Sequence, residues 1–263
     1  MELQNNTILI TGGTSGLGYE FASKLFALGN TVIITGRDQS KLDLTKKKLP
    51  GIHTFQSDVS DPEAIVQLYE KVISQFPELN MLINNAGEMR KISLHDTSID
   101  LHDITREVET NLMGPIRMVQ AFLPHLKQKK SAAILNVTSG LALVPFPISP
   151  IYGATKSGLR SYTKSLRVQL KNTNIKVFEL VAPGAKTPLN DKFANMDGFD
   201  EKTLMDPDKL IAAAIKGLQN DQLEIYPSVA RIMLIMSRIA PSFMLKQLSK
   251  TGAKEMAGTE KRK

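Results

Sequence analysis

A short apolar segment followed by a glycine-rich turn constrains the fold of this chain more than any other feature. Residues 7–10 have the composition of a buried strand, and Leu17, Phe21 and Leu25 then recur at helical spacing. Between strand and helix lies the run Thr11-Gly12-Gly13-Thr14-Ser15-Gly16-Leu17-Gly18. Glycines let a backbone approach a pyrophosphate closely, and the first turn of a helix offers free N–H groups. This order predicts a dinucleotide site, with a turn that binds no ligand as the alternative.

The next strand indicates which dinucleotide the turn would hold. Residues 31–35 complete a β–α–β unit that ends in Gly36-Arg37-Asp38. An acidic side chain at this strand end receives the ribose hydroxyls of NAD, whereas a basic one accommodates the 2′-phosphate of NADP. Arg37 therefore predicts that NADP(H) is preferred, and NAD(H) remains an alternative. Asp38 is a candidate cap for the helix that follows.

The rest of the chain continues this alternation of strands and helices. Further strands are predicted at 53–56, 81–83, 133–137, 176–181 and 223–226. No internal repeat or linker interrupts them, so we expect one α/β domain with a doubly wound Rossmann fold. A long helix is predicted over 101–123, although Asn111 and Gly114 are unfavourable in its middle. Such a local conflict often marks a functional position.

A tyrosine and a lysine one helical turn apart are the first candidates for chemistry. Tyr152 and Lys156 share a face of a predicted helix, and Ser139 follows a predicted strand. A phenol keeps its proton until about pH 10. A neighbouring ammonium favours the phenolate and lowers its pKa, which would make Tyr152 a proton donor and acceptor near neutral pH. A surface Tyr and Lys on an ordinary helix are the alternative for the pair taken alone.

Composition limits the other function classes. The chain has 263 residues, 42% of them hydrophobic, and no cysteine, which excludes disulfides, thiolate metal sites and cysteine nucleophiles. The formal charge of +7 suits nucleic acid, an anionic membrane or an anionic cofactor. No nucleic-acid motif accompanies the charge, so we expect solvated helix ends and a frayed basic tail at 261–263. Neither a signal peptide nor a transmembrane run is apparent, and we expect a cytoplasmic protein.

In combination, these motifs resemble the short-chain dehydrogenase/reductase superfamily from Thr7 to about Tyr226. The matching residues are Thr11-Gly12, Gly16, Gly18, Asn84-Asn85-Ala86-Gly87, Asn111, Ser139, Tyr152 and Lys156. The resemblance implies a seven-stranded, mostly parallel sheet with helices on both faces, in a homodimer or homotetramer. It also implies an oxidoreductase without a metal that transfers hydride between a nicotinamide and a small carbonyl or alcohol substrate.

The resemblance assigns roles to four residues. Tyr152 would be the acid and base, and Lys156 would bind the nicotinamide ribose and lower the tyrosine pKa. Ser139 would hold the substrate carbonyl, and Asn111 would hold a proton-relay water. A nucleotide-binding scaffold and a peripheral cell-envelope interaction protein with little turnover are the alternative functions. The complete set of four residues favours the enzyme.

The resemblance also predicts which residues bind the cofactor. Asp58 would reach the adenine, with Asn85 and Gly87 on the adenosine side. The full predicted set is Gly12, Thr14, Ser15, Gly16, Leu17, Gly18, Arg37, Asp58, Val59, Asn85, Ala86, Gly87, Tyr152, Lys156, Pro183 and Thr187.

One loop departs from the family pattern, in which three residues separate a Pro-Gly pair from a Thr. Here two residues separate Gly184 from Thr187. Either the loop is one residue short, or Ala182-Pro183 take the positions of the Pro-Gly pair. Contacts from this loop to a nicotinamide amide depend on which alternative holds.

Within the superfamily, three stretches look like the reductases encoded beside lipoteichoic-acid D-alanylation genes in Gram-positive bacteria. They are Asn5-Asn6-Thr7, Val137-Thr138-Ser139-Gly140-Leu141-Ala142 and Leu189-Asn190. This resemblance does not name a substrate.

Two later segments are predicted to cover the site. Residues 188–205 are polar and irregular, which is typical of a substrate-covering lid. We assign 1–226 to the dinucleotide-binding and catalytic domain, and 227–263 to an apolar, amphipathic segment and basic tail of the same domain. A helix is predicted over 229–240, with a broad apolar face that should pack on the protein's own cleft or on another subunit. An anionic membrane surface is the alternative partner for this face.

Overall fold

One sheet of seven strands forms the centre of the molecule. A computed structural model describes residues 1–256, so the basic tail at 261–263 lies outside the described residues. The strands are β1 (Thr7–Thr11), β2 (Thr31–Gly36), β3 (His53–Gln56), β4 (Leu79–Asn84), β5 (Ala132–Ser139), β6 (Ile175–Ala182) and β7 (Glu224–Ile225). Their order is β3-β2-β1-β4-β5-β6-β7, and every neighbouring pair is parallel. This confirms the predicted fold class.

The central strand β1 explains why helices cover both faces of the sheet. Leu9 pairs with Ile33 of β2 and with Leu82 of β4, and the whole strand is buried. Successive side chains of a strand point to opposite faces, so Ile8 and Ile10 join one hydrophobic core cluster and Leu9 joins another. A parallel sheet with apolar strands of this kind is buried on both sides.

Helices pack on both faces, and the strand order reverses between β1 and β4. In chain order the helices are α1 (Gly16–Ala27), α2 (Gln39–Lys48), α3 (Pro62–Gln75), α4 (Leu101–Ile104), α5 (Arg106–Val108), α6 (Gly114–Leu126), α7 (Pro150–Gln169), α8 (Pro188–Asp191), α9 (Pro207–Gln219), α10 (Val229–Ile239), α11 (Pro241–Leu248) and α12 (Ala253–Met256). Phe21 of α1 and Leu210 of α9 belong to the first core cluster, and Leu68 of α3 and Phe122 of α6 to the second. Ligands of open parallel sheets bind at such a reversal, outside the carboxyl ends of the strands.

The long helix predicted over 101–123 is wrong. The chain forms α4 and α5, then a π-helical segment over Glu109–Met113, and only then α6. Pro115 lacks an N–H, so the ordinary α-helical bond to the Asn111 carbonyl cannot form. Gly114 lies so close to the loop after β3 that a Cβ on it would be 2.9 Å from the Val59 carbonyl oxygen. Single-turn π segments of this kind occur frequently at functional sites.

The irregular segment after β6 and the C-terminal helices lie over the carboxyl ends of the strands. The segment contains α8 and a short 3₁₀ turn over Glu201–Thr203, and it is held by a parallel bridge between Ala185 and Met205. Pro241 begins α11 after one intervening residue, and we call α10 and α11 the C-terminal hairpin. None of the helices in the described part of the chain is long and apolar enough to cross a bilayer.

Candidate active site

A cleft of about 890 Å³ lies at the carboxyl ends of the strands, where the strand order reverses. It is lined by the glycine-rich turn, the loops after β2 to β6 and the C-terminal hairpin. The predicted site residues that line it are Gly12, Thr14, Ser15, Gly16, Leu17, Arg37, Asp58, Val59, Asn85, Ala86, Gly87, Ser139, Tyr152, Lys156, Pro183 and Thr187. Gly18 and Asn111 are not part of its lining; both support residues that are.

The glycine-rich turn has a backbone that side chains would obstruct. Gly12 and Gly16 have φ values of +67° and +52°, in the left-handed region that favours glycine. A Cβ on Gly18 would lie 2.1 Å from the Gly12 carbonyl oxygen, so helix α1 approaches the turn as closely as a backbone can. Ser15 caps α1 without a side-chain hydrogen bond, which leaves N–H groups of the first turn for a ligand. The turn therefore fits a pyrophosphate.

Replacing Gly18 by alanine is expected to destabilise the protein by several kcal/mol and to weaken cofactor binding. Alanine is favoured over glycine inside a helix by roughly 1 kcal/mol, but here the new methyl group would meet backbone that cannot move aside. Gly153→Ala is the matched control, because a Cβ there meets only the Leu141 carbonyl oxygen at 3.5 Å. Urea denaturation should show a loss for the first variant and a small gain for the second. Equal midpoints would contradict this reading of the turn.

The adenosine end of the cleft carries charged side chains. Arg37 follows β2 and is 61% exposed, and its Nη1 lies 3.9 Å from Oδ2 of Asp58. The Asp38 carboxylate accepts the Lys41 N–H at the start of α2, which confirms its role as a cap. A hydrogen bond from Ser40 is the main cause that lowers the pKa of Asp38, and the N–H of Lys41 adds to it. Arg37 is therefore an exposed cation at this strand end, loosely paired with the acid predicted to reach the adenine.

The loop after β4 is fixed to the glycine turn through Thr11. The Thr11 hydroxyl accepts N–H bonds from Asn85 and Ala86, both at 3.0 Å. The Asn85 amide donates in turn to the carbonyl oxygens of Thr11 and Gly12, at 3.0 and 3.2 Å. Asn85 thus shapes the wall of the cleft rather than pointing a free amide into it. Sequence analysis missed the role of the Thr11 side chain, whose only signal is its place at the end of β1.

Asn111 joins three parts of the chain. Its Oδ1 accepts the Glu88 N–H at 2.8 Å, and its Nδ2 donates to the Glu88 carbonyl at 2.7 Å and to the Thr155 hydroxyl at 3.2 Å. The side chain is fully buried. Its amide is therefore committed to protein groups, so a contact with a relay water would have to come from its backbone carbonyl.

Ser139, Tyr152 and Lys156 meet at the end of β5. Ser139 is the last residue of β5, and its Oγ accepts the Leu141 N–H at 3.1 Å, so its own hydrogen remains to be donated. Tyr152 and Lys156 lie in the first turns of α7, and both are buried. The Lys156 ammonium donates to the Val137 carbonyl at 2.9 Å and lies 5.8 Å from the centre of the Tyr152 ring.

Burial controls the titration of this group, and the predicted lowering of the tyrosine pKa is wrong. Burial raises the pKa of Tyr152 to about 12, although a hydrogen bond with Ser139 acts in the opposite direction. The nearby Glu107 carboxylate raises it further. Burial also lowers the pKa of Lys156 to about 8, and its ammonium is turned to a backbone carbonyl rather than to the phenol oxygen. Tyr152 is therefore a neutral proton donor at neutral pH.

Glu107 is a buried acid near this site that sequence analysis missed. It is fully buried, and burial raises the pKa of its carboxyl group. Arg90 donates to it through its backbone N–H at 3.0 Å and through Nε at 3.3 Å. The same guanidinium reaches Asp103 at 2.6 Å. A charge pattern typical of an exposed helix hid this residue in the sequence.

The other half of the cleft is apolar. Tyr152 belongs to a third hydrophobic cluster, separate from the two that flank the sheet. The members that also line the cleft are Met89, Leu141, Phe146, Leu189, Phe193, Phe199 and Leu248. Met233 and Met244 of the C-terminal hairpin line it as well. Among the described lining residues, Asp38 and Asp58 lie at the adenosine end, and Asp200 is the carboxylate of the apolar half. The Asp200 side chain accepts the Lys202 N–H.

The loop after β6 brings Thr187 against the glycine turn. Strand β6 ends at Ala182, so Pro183 and Gly184 are the first residues of the loop. A Cβ on Gly16 would lie 3.3 Å from the Thr187 side chain, which is itself buried. Thr187 therefore borders the glycine turn whichever of the two alternatives for this loop holds.

Comparison with known proteins agrees with this geometry. The model of the short chain dehydrogenase family matches residues 6–198. The chain is 39% identical to DltE of Bacillus subtilis, an uncharacterized oxidoreductase, over 86% of this chain and 89% of that protein. This similarity confirms the subfamily resemblance seen in the sequence.

Solved structures share the fold. A 3-ketoacyl-(acyl-carrier-protein) reductase from Brucella melitensis, in complex with NADH, is 27% identical with a TM-score of 0.75, covering 85% of this chain and 95% of that one. A short chain dehydrogenase from Burkholderia cenocepacia, in complex with NADP, is 22% identical with a TM-score of 0.81, covering 94% and 99%. Both nicotinamide dinucleotides therefore occur among proteins of this shape.

Proposed function

Because the chain belongs to the short-chain dehydrogenase family, we propose that it is an NADP(H)-preferring oxidoreductase that reduces an apolar carbonyl compound to an alcohol. The observation that carries the proposal is the meeting of Ser139, Tyr152 and Lys156 at one strand end, beside the glycine turn. Two hydroxyl groups and a buried ammonium at the mouth of a dinucleotide cradle suit proton transfer to a carbonyl oxygen.

The glycine turn would hold the pyrophosphate, and Arg37 would hold the 2′-phosphate. Positive φ at Gly12 and Gly16 and the uncapped first turn of α1 support the first contact. The exposed guanidinium at the end of β2 supports the second. Lys156 would bind the nicotinamide ribose, because its ammonium lies in the cleft at the end of β5, beside Gly87 and Tyr152. When bound, the nicotinamide supplies or accepts the hydride.

Tyr152 would move the proton. Burial raises its pKa to about 12, so the hydroxyl is protonated at neutral pH and can donate to a carbonyl oxygen. Ser139 would donate its free hydrogen to the same oxygen. The backbone carbonyl of Asn111 would accept a hydrogen bond from a relay water, because Pro115 leaves this carbonyl without its usual helical partner. After Tyr152 has given up its proton, Lys156 would return one to it and would be reprotonated by this water.

The lining of the cleft supports an apolar substrate. Side chains of Met, Phe and Leu surround the Tyr152 end, whereas the charged side chains at the ends of β2 and β3 lie at the adenosine end. A charged substrate would lose its hydration here, and Lys156 and Asp200 are the countercharges that the described lining offers at this end. Methionine in particular adapts its shape to apolar ligands.

Loss of NADPH absorbance across a series of methyl ketones of increasing chain length tests the proposal. Each added methylene group should raise kcat/KM about three- to fourfold until the cleft is filled. Tyr152→Phe is the control for turnover at this site. Turnover of α-keto acids, with no gain from longer ketones, would reject the apolar substrate but keep the enzyme. No turnover of any carbonyl compound would favour the nucleotide-binding scaffold.

Arg37→Ala is expected to weaken NADPH binding about tenfold and to leave NADH binding nearly unchanged. A hydrogen bond to a charged group is worth roughly 1.5–3 kcal/mol, and the exposure of Arg37 places this contact at the low end. Fluorescence titration of both cofactors measures the effect. Lys46→Ala is the matched control, since it removes an exposed cation of α2 that does not line the cleft. Equal weakening of both cofactors would reject the assigned role.

A further inference from the structure

The C-terminal hairpin has an apolar outer face that remains exposed. Ile232, Ile235 and Ile239 of α10 are 60%, 53% and 71% exposed. Their spacing of three and four residues places them in one stripe along the helix. Phe243 and Leu245 of α11 are exposed as well. We call the three isoleucines the outer face; an exposed apolar stripe of this kind marks an interaction site.

The inner face of the same hairpin is already occupied. Ala230 is buried, and Met233 packs so closely on the turn after β5 that a Cβ on Gly140 would lie 2.8 Å from its sulfur. Met244 and Leu248 line the cleft. The predicted packing on the protein's own cleft therefore accounts for one side of the hairpin and leaves the outer face without a partner.

The charge of the hairpin indicates what that partner is. Residues 226–254 contain no Asp or Glu, and their cations are Arg231, Arg238, Lys246, Lys250 and Lys254. Arg231 and Arg238 are exposed, and within residues 1–256 neither they nor Lys246 forms an ion pair. Arg231 and Arg238 are seven residues apart, so they lie in line along the helix, beside the isoleucine stripe. A second copy of this hairpin would bring like charges together, which opposes self-association through the outer face.

We propose that the outer face binds an anionic membrane surface. The isoleucine stripe would enter the boundary between headgroups and acyl chains, and the flanking arginines would meet lipid phosphates. Anionic lipid supplies both the apolar medium and the opposite charge, whereas neutral lipid supplies only the first. The same helices cover the apolar half of the cleft, so the site would open next to the bilayer.

Vesicle flotation tests this proposal on the full chain. The protein should float with vesicles of phosphatidylglycerol at low salt, and less with vesicles of phosphatidylcholine or at high salt. A triple variant, Ile232→Gln, Ile235→Gln and Ile239→Gln, should bind at least tenfold more weakly. The matched control is Leu44→Gln, Val66→Gln and Leu101→Gln, three exposed apolar residues elsewhere on the surface, and it should float like the parent.

Three outcomes would overturn the proposal. The parent protein could stay out of the phosphatidylglycerol fraction, or the control triple could lose flotation as strongly as the hairpin triple. Alternatively, light scattering could show that the hairpin triple breaks a parent oligomer, which would make the outer face a contact between copies.

If the hairpin triple does not fold, the Arg231→Gln and Arg238→Gln double variant replaces it. The double variant should weaken binding at low salt several-fold and reduce its salt dependence.

Discussion

Tyr152→Phe is expected to lower turnover by about 10²–10⁴-fold while NADPH binding stays nearly unchanged. The substitution removes the transferable proton and almost no volume from the apolar cluster around the ring. Because the Tyr152 hydroxyl belongs to the substrate side, the cradle formed by the glycine turn should be unaffected. Single-turnover measurements with a ketone from the series above would separate the chemical step from binding.

The matched control for this variant is Tyr162→Phe. Tyr162 lies in the same helix, is partly buried in the second core cluster, and does not line the cleft. Its replacement should leave turnover at the parent value. Parent-like turnover in Tyr152→Phe on a good substrate would show that another group moves the proton.

Lys156→Met is expected to abolish turnover and to stabilise the protein in the absence of cofactor. Lys156 is only 4% exposed, and burial lowers its pKa from 10.5 to about 8. That difference corresponds to about 3 kcal/mol of burial penalty on the ammonium below pH 8. Methionine has a similar shape and no charge, but it leaves the Val137 carbonyl without its donor at 2.9 Å, which costs about 1 kcal/mol or more. A net gain of about 1–2 kcal/mol remains.

The gain in stability from Lys156→Met should depend on pH, whereas a gain from better packing would not. Between about pH 8 and pH 10.5 the unfolded parent binds more protons at Lys156 than the native parent, so parent stability rises with pH in this window. The advantage of Lys156→Met should therefore be full below pH 8, shrink through this window and turn into a small loss near pH 10.5, where the missing hydrogen bond to Val137 remains. Urea denaturation at several pH values measures it, with the exposed Lys209→Met as control. An advantage that does not change with pH would contradict the buried-charge explanation.

Local signals in the sequence predicted most of the scaffold. Strand–turn–helix order, the glycines at 12, 16 and 18 and the capping Asp38 depend on neighbours close in the chain, so they are visible without a structure. The break between α4 and α6 was not predicted, because it depends on Asn111 reaching Glu88 and Thr155 from distant segments. Pro115 was a local signal that could have revealed it.

The electrostatics of the site were the least predictable part. The spacing of Tyr152 and Lys156 indicates their shared face but not their burial, and burial decides both pKa values. The acid Glu107 enters the same environment only through tertiary packing. The apolar wall likewise comes from loops far apart in sequence, such as Met89, Phe146 and Phe193. Periodicity cannot detect a surface assembled in this way.

The strand order has a consequence for how this protein is made. Strand β1 is translated first, yet it lies inside the sheet, with β2 on one side and β4 on the other. Thr7 of β1 pairs with Leu79 of β4, so one edge of β1 stays open until that distant strand has left the ribosome. An open apolar strand edge invites pairing with other nascent chains. Until β4 has been made, the nascent chain therefore carries an apolar strand with one unpaired edge.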